Sequence, residues 1–394
     1  MFRYGVPMID RMVPLLALAA AAFCYVATET MPIGVLTLVA GDLGVPEPAV
    51  GLLVTGYAVV VAVVTIPLTY ATRNVPRRRL MIILLGVLVL GNLISALAPG
   101  YWLLLGARLL TAPSQAIFWG VVAPVVAAMF DVSVRGRVNA VVFAGASLGP
   151  MLGVPAGTWL GQQFSWRAAF VALTVLALAA FGALVAGMPD VRVAATHAAT
   201  GTRPDRRRYA IFVAVTTLAV AGLYTSFTYT EVFLLSATGF TAAALAPLLL
   251  VRGAADFAGV AAGGYASDRW QRGAVTGSAA ILAVALLGMY VAAGSGPIVA
   301  VLLAATAFAI GALTPALQNR VLEVAPGSTD MASAGNSVAF NVGIAAGSLI
   351  GAAVFDGPGV RATALVGGLL ALAGLVLFLA EPLLVRRTPA VVRR

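Results

Sequence analysis

The sequence predicts an all-α integral membrane protein with twelve transmembrane helices. Two observations support this fold class. The first is composition: 61% of the 394 residues are hydrophobic, 10% are charged, and the mean hydropathy is +1.01. A soluble domain carries about 25% charged residues, so this chain cannot cover a surface that faces water. The second is a series of apolar runs of about 20 residues, the length that a helix needs to cross a bilayer.

The runs follow one another along nearly the whole chain, separated by short polar segments. We predict spans at roughly 13–40, 49–70, 79–98, 102–129, 136–160, 166–188, 209–237, 241–265, 273–293, 297–321, 331–354 and 360–384.

The arginines predict how these spans are oriented. All 24 basic residues are arginine, and 20 fall in the termini or in loops on one side of the predicted bundle. Only Arg167 and Arg361 fall on the other side, while Arg108 and Arg252 lie within spans. Cytoplasmic loops are enriched in arginine, so we expect both termini in the cytoplasm of a bacterial cell membrane.

The same sequence argues against several functional classes. Its only cysteine is Cys24 and its only histidine is His197, so neither a disulfide framework nor a Cys/His metal site is expected. We predict no metal, cofactor or enzyme chemistry. The arginine clusters alternate with spans, which indicates membrane topology and not nucleic-acid binding.

The chain also predicts two six-helix halves, 1–188 and 209–394, joined by a flexible cytoplasmic linker at 189–208. Short matches recur on corresponding spans at nearly one offset, which favours duplication. They are "YATRN" with "YASDR", "NAVVF" with "NSVAF", and "TE" at 28–29 with "TE" at 230–231. Repeats related by an axis along the membrane normal are typical of transporters that bind substrate between their halves.

Several longer stretches carry a family resemblance: "ATETMPIGVL", "SQAIFWGV", "LGVPAGTWLGQQFSWRAAF", "YTSFTYTEVF" and "FNVGIAAGSLIG". Over nearly its whole length the chain resembles the drug:proton antiporter branch of the major facilitator superfamily. Within that branch it is similar to bacterial sugar efflux transporters that export arabinose and isopropyl-thiogalactoside. The resemblance implies transport by alternating access, and a monomer.

Two motifs of the superfamily are recognisable, with departures. The loop after span two lacks the usual acid and has Arg73 there, followed by Arg77, whereas the second half keeps Asp268 and Arg269. The resemblance implies latches at the cytoplasmic ends, although the first loop's arginines are equally consistent with a topology signal alone. The antiporter motif of span five is "GASLGPMLGVPAG", in which we expect the small residues to pack against the other half or in ordinary helix contacts. The glycines and prolines of this motif are Gly145, Gly149, Pro150, Gly153, Pro155 and Gly157.

Glu29 is the first candidate functional residue, because a carboxylate within a span costs roughly 2.5–3.5 kcal/mol on insertion scales. Arg108, in span four, falls at a similar predicted depth, and in the superfamily both spans line a central cavity. We predict that Glu29 faces this cavity near Arg108 and carries a proton or contacts substrate. A structural ion pair is the alternative.

Three further charges lie within spans. Glu231 matches Glu29 in the second half but falls nearer the outer end of its span. We predict that it binds substrate or closes an outer gate. The alternative is a solvated position at the membrane interface. Arg252 and Asp256 stand four residues apart on one helix face, so we expect them to pair. Asp256 and Glu231 join Glu29 as candidate proton-coupling residues.

Polar and aromatic side chains within the spans complete the predicted substrate cavity, together with the charges above. They are Tyr25, Tyr57, Asn92, Gln115, Trp119, Tyr224, Tyr229, Asn336 and Asn341.

These features predict a proton-coupled exporter of small polar or amphipathic molecules, sugars or drugs. The alternative is an uncoupled facilitator or uptake carrier of the same fold. A membrane-embedded enzyme or receptor is disfavoured, because the sequence shows no nucleophile–base pair, metal cluster or phosphate loop.

Overall fold

The chain folds into a bundle of long helices, as its apolar runs predict. The structure, a computed structural model, describes residues 8–72, 74–130, 135–189, 202–327 and 329–385. Most of the predicted linker, 190–201, lies outside these ranges. The first eight helices are α1 Met8–Gly34, α2 Leu36–Leu43, α3 Glu47–Ala71, α4 Arg77–Leu97, α5 Tyr101–Met129, α6 Arg135–Leu148, α7 Val154–Gln163 and α8 Trp166–Gly187. The remaining six are α9 Arg206–Phe227, α10 Thr230–Val232, α11 Ala242–Val291, α12 Gly296–Glu323, α13 Thr329–Asp356 and α14 Val360–Leu384.

Within the described ranges, eleven helical segments are long and apolar enough to cross a membrane. They coincide with eleven of the twelve predicted spans, and α5, with 29 residues, occupies the position of the fourth. Two predicted spans lie in α11 as Ala242–Ser267 and Arg269–Val291. They meet at Trp270, whose non-helical φ of −135° and ψ of 58° bend the chain.

Two spans are interrupted near proline, glycine or aromatic residues. The predicted fifth span consists of α6 and α7 joined by a π-helical turn at Gly149–Gly153, where Pro150 lacks a backbone donor. The predicted seventh span breaks after Phe227, and a second π-helical turn follows at Phe233–Ala237. Tyr229 lies at this break, where its buried ring fits against two helices at positions occupied by glycine.

We call α1–α8 the N-half and α9–α14 the C-half, and the end of the bundle where α1 meets α2 the outer end. Each half has an apolar core of its own. Two further cores contain residues of both halves, and the larger of them joins Ile33, Val54 and Ala58 of the N-half to the C-half. The smaller of them includes Val35 and Leu53 of the N-half with Tyr229 and Val232 of the C-half. The outer ends of the halves are therefore packed against each other.

The glycines of the span-five motif pack within the N-half, against α1. A Cβ on Gly145 would overlap the backbone of Ala19, and in the C-half a Cβ on Gly343 would overlap the backbone of Thr217. Gly343 and Thr217 each lie 198 positions after Gly145 and Ala19, respectively. The same offset relates Gly149 on Phe23 to Gly347 on Ala221, and Gly153 on Ala27 to Gly351 on Thr225.

The glycines of this motif make ordinary helix contacts. The span-five glycines face α1 of their own half, because their missing side chains let two neighbouring helices approach at backbone distance. The other half is contacted from a different face of the same segment, where the backbone of Met151 lies against Gly253 of α11.

Candidate functional site

Glu29 is a half-buried residue of α1, and Gln115 of α5 binds its carboxylate. The amide nitrogen Nε2 of Gln115 donates to Oε2 of Glu29 at 2.7 Å. The other end of the same amide accepts a hydrogen bond from the hydroxyl of Tyr57 on α3 at 2.6 Å. Since Tyr57 and Gln115 are buried, this chain of hydrogen bonds fixes which amide atom faces the carboxylate.

Arg108 is 1% exposed and its guanidinium is directed at the backbone. Nη1 donates to the carbonyl of Thr28 at 2.9 Å, Nη2 to the carbonyl of Glu29 at 2.8 Å, and Nε to the carbonyl of Leu53 at 3.2 Å. The guanidinium also lies 5.0 Å from the centroid of the Tyr57 ring. Arg108 therefore joins α1, α3 and α5.

The carboxylate of Glu29 is not ion-paired with Arg108, although the structure describes both residues and they are neighbours. The N–O separation exceeds the 4.0 Å limit of a salt bridge, and the contact between them is to the main-chain oxygen of Glu29. The positive charge lies close enough to attract the carboxylate without sequestering it. Among described residues, the only side-chain donor to this carboxylate is Gln115.

In the C-half, Arg252 and Asp256 do not form the intrahelical pair that their spacing predicts. Both are described, and no N–O distance between them falls within 4.0 Å. The guanidinium of Arg252 instead lies over the ring of Phe227 on α9, 3.6 Å from its centroid. The competing interaction is cation–π stacking, which the i, i+4 rule does not consider.

Tyr224 links these charges across the halves. It lies within electrostatic range of Glu29 of the N-half and of Arg252 and Asp256 of the C-half. Glu29 and Asp256 are both half-buried residues. Three charged residues, one from the N-half and two from the C-half, thus act on one tyrosine.

Glu231 lies at the outer end and is 3% exposed. Its Oε2 accepts a hydrogen bond from the backbone N–H of Thr37 at 3.2 Å, and its Oε1 accepts one from the Thr37 hydroxyl. A second bond between the halves runs nearby, from Nε2 of Gln162 to the carbonyl of Ala242 at 2.7 Å. The solvated alternative for Glu231 is wrong, because the two packed halves bury it.

Several predicted cavity residues lie instead inside helix contacts. Tyr25 donates to the carbonyl of Leu84 at 2.9 Å, and Asn92 accepts from Thr28 at 3.0 Å. The burial of these two side chains does not support their predicted contact with substrate. The same holds for Tyr229, Asn336 and Asn341. Tyr229 donates to the carbonyl of Ser348, Asn336 bonds with Thr216 and Gln318, and Asn341 donates to the carbonyl of Ser337.

Trp119 is half-buried and stacks on Phe143 with ring centroids 6.0 Å apart.

The predicted loop latches are only partly within the described ranges. Arg73 and the side chain of Asp268 lie outside them. Arg77 begins α4 and approaches the carbonyl of Thr72 at 3.5 Å, and Arg269 lies over the ring of Tyr265 at 3.9 Å. These contacts leave the latch expectation untested.

Sequence reasoning missed two residues of this arrangement. Thr37 is an isolated hydroxyl after an apolar run, and nothing local indicates that it meets a glutamate 194 positions later. Phe227 is not distinguishable in the sequence from the other apolar residues of its span. Its position three residues after Tyr224 places both rings on one helix face, and the two contact edge to face at 5.6 Å.

Comparison with known proteins agrees with this architecture. The family model described as the Major Facilitator Superfamily matches residues 18–287 and 248–393. The chain is 33% identical over 350 residues to the chloramphenicol efflux pump Rv0191 of Mycobacterium tuberculosis (strain ATCC 25618 / H37Rv), covering 86% of this chain and 85% of that protein. It is 32% identical over 376 residues to the inner membrane transport protein YdhP of Escherichia coli (strain K12), covering 93% and 94%.

Solved structures show the same fold at low identity. A bacterial homologue of the human lysosomal transporter Spinster superposes with a TM-score of 0.70 at 15% identity, covering 96% of this chain and 97% of that chain. The human organic anion transporter MFSD10 superposes with a TM-score of 0.64 at 16% identity, covering 95% and 100%. On the family match and the identity to its curated relatives, the chain belongs to the major facilitator superfamily, whose members fold as these helices do.

Proposed function

We propose that this protein is a proton-coupled exporter of small amphipathic molecules, and that Glu29 carries the coupled proton. The observation that carries the proposal is the state of this carboxylate. It accepts one side-chain hydrogen bond, and the neighbouring arginine is engaged with backbone carbonyls. A carboxylate locked in a salt bridge would exchange its proton poorly, whereas Glu29 is left available for protonation.

Coupling then requires only that the substrate and the proton compete for the same site. Substrate binds beside Tyr224 when Glu29 is ionised, and protonation of Glu29 on the other side of the membrane releases it. Because the same site cannot hold both at full affinity, loading one expels the other. One charge that moves inward through about 100 mV supplies roughly 2.3 kcal/mol for this work.

Alternating access requires the two halves to separate at the outer end. We propose that residues 1–188 and 209–394 rock as two units joined by 189–208. The recurrence of glycine contacts at an offset of 198 supports two units of similar construction. Glu231 with Thr37 forms the outer gate in this scheme, since this pair joins the halves where they must part.

The substrate and setting follow from the relatives. Because Rv0191 is named a chloramphenicol efflux pump, chloramphenicol is the first compound to test, with a sugar such as isopropyl-thiogalactoside as the second. YdhP is named an inner membrane protein, and the arginine distribution favours the same membrane with both termini cytoplasmic. We propose that the protein acts as a monomer.

Transport by purified protein in proteoliposomes tests the proposal. Uptake of chloramphenicol or sugar into the vesicles is measured with and without an imposed pH gradient, for the wild type, Glu29→Gln and the control Glu47→Gln. Glu47 lies in the first turn of α3, near the outer end. We expect the gradient to accelerate transport by the wild type and the control but not by Glu29→Gln. Equal rates with and without the gradient in the wild type would instead indicate an uncoupled facilitator.

A further inference from the structure

Arg252 is a buried arginine whose charge is not neutralised by a direct ion pair. It is 6% exposed on α11, and its Nε has no hydrogen-bond partner. Burying a guanidinium costs several kcal/mol unless its charge and donors are satisfied. Asp256 lies one turn further along the helix, and the two side chains nevertheless remain apart. The helix thus holds an arginine with unused donors inside the bundle.

Phe227 fixes how those donors are presented. The guanidinium carbon lies 3.6 Å from the ring centroid, which is the distance of a flat stack. All five N–H groups of a guanidinium lie in its plane, so stacking directs them sideways, past the edge of the ring. Phe227 is itself held by the edge of the Tyr224 ring.

Two further polar groups make no hydrogen bond to a described residue. One is the hydroxyl of Tyr224, whose ring contacts the Phe227 ring that Arg252 covers. The other is the carboxylate of Asp256, one helical turn after Arg252 on α11. An unpaired arginine, a hydroxyl and a carboxylate therefore belong to neighbouring residues inside the bundle, through the Phe227 ring and the i, i+4 spacing on α11. A molecule that bonds to all three would supply the partners that Arg252 lacks.

We propose that Arg252 binds a hydrogen-bond-accepting oxygen group of the substrate, a nitro group or an amide carbonyl, while Asp256 accepts from a hydroxyl or N–H of the same molecule. The substrate class is thus a small neutral molecule that carries both an acceptor and a donor on an apolar body. This inference rests on the proposed function, and it separates recognition by Arg252 in the C-half from proton coupling by Glu29 in the N-half.

Equilibrium binding to the purified protein in detergent, without any gradient, tests this assignment. The first probe is chloramphenicol, which carries a nitro group, an amide carbonyl and two hydroxyls. The second is 1-phenyl-1,3-propanediol, a neutral molecule that keeps the ring and the two hydroxyls but lacks the nitro group and the amide. The variants are Arg252→Gln, Arg252→Lys and the matched control Arg361→Gln. Arg361 also lies over an aromatic ring, that of Tyr290 at 4.8 Å, at an exposed position.

We expect Arg252→Gln to weaken chloramphenicol binding by about 10-fold or more, as the loss of a hydrogen bond to a charged group does. Arg252→Lys should also weaken it, because lysine lacks the flat donor edge. Binding of 1-phenyl-1,3-propanediol should change by less than about twofold, the size expected where no charged hydrogen bond is lost. Arg361→Gln should leave both probes unaffected. Thermal melting of each variant reports whether it is folded.

Two results would overturn the inference. The first is unchanged chloramphenicol binding in folded Arg252→Gln or Arg252→Lys, or an equal loss for both probes. The second is no binding of chloramphenicol by the wild type, which removes the substrate class. The proposed function fails separately, when the pH gradient does not accelerate wild-type transport of any compound in the panel.

Discussion

Gln115 donates a hydrogen bond to the carboxylate of Glu29 at 2.7 Å. Arg108, which carries the opposite charge, donates instead to the main-chain oxygen of Glu29 at 2.8 Å. This division keeps the arginine near the acid without a salt bridge between the side chains. The positive charge favours the ionised acid, and burial favours the protonated one. An acid placed between these two influences is suited to gain and lose a proton during a transport cycle.

Arg108 is expected to matter first for assembly of the N-half. Arg108→Gln removes up to three hydrogen bonds to backbone carbonyls of α1 and α3. Interhelical hydrogen bonds in membranes contribute about 0.6–1.7 kcal/mol each, so the loss is roughly 2–5 kcal/mol. Thermal melting in detergent should show a clear decrease. An unchanged melting temperature together with lost transport would indicate that Arg108 contacts substrate, and would contradict its role in joining α1, α3 and α5.

The glycine contacts predict a steric difference between two alanine variants. A Cβ on Gly145 would overlap the backbone of Ala19, whereas a Cβ on Gly182 of α8 would meet no atom within 4 Å. We expect Gly145→Ala to destabilise the protein by about 1–3 kcal/mol, the usual cost of overpacking. Gly182→Ala should be neutral or stabilising by up to about 1 kcal/mol, because alanine favours helix. Melting temperatures of both variants measure this, and equal effects would contradict the packing described here.

The outer gate predicts a shift in conformational population. Glu231→Ala removes both bonds to Thr37, and Thr37→Val removes only the one from the hydroxyl. Both variants should open the outer end more often, Glu231→Ala the more. Spin labels on Gly41→Cys and Ser236→Cys, both exposed, report the separation in a Cys24→Ala background. A distance distribution identical to that of the parent would show that this pair does not hold the gate.

A separate cluster at the outer end predicts a pH effect on stability. The Trp166 indole and the Arg167 guanidinium donate hydrogen bonds to Asp42, and these bonds lower the pKa of its carboxyl below the ordinary value of 3.8. A group with a lowered pKa in the folded state stabilises the fold above its ordinary pKa, and the stabilisation is lost as the pH falls through the lowered value.

Asp42→Asn should therefore melt below the wild type at neutral pH, by a small margin because the pair is largely exposed. The difference should disappear at a pH below the lowered pKa. A difference that persists unchanged into strong acid would show that the charge of Asp42 does not contribute.

The sequence predicted the helices and their order because each span is determined locally by some 20 apolar residues. The same local reasoning found Glu29, since a carboxylate in an apolar run is conspicuous. It did not find Gln115 as the partner of Glu29 or Thr37 as the partner of Glu231, because both contacts join residues far apart in sequence. The pairing of Arg252 with Asp256 was predicted from helix spacing, and the ring of Phe227 on another helix overrode it.

The central claim is that Glu29 exchanges a proton for substrate, and proton release on substrate binding tests it most directly. Purified protein in weakly buffered detergent is mixed with chloramphenicol or another substrate that it transports, and a pH indicator records the protons released. The account predicts release by the wild type and none by Glu29→Gln, although that variant still binds the substrate. Equal proton release by the wild type and by Glu29→Gln would contradict it.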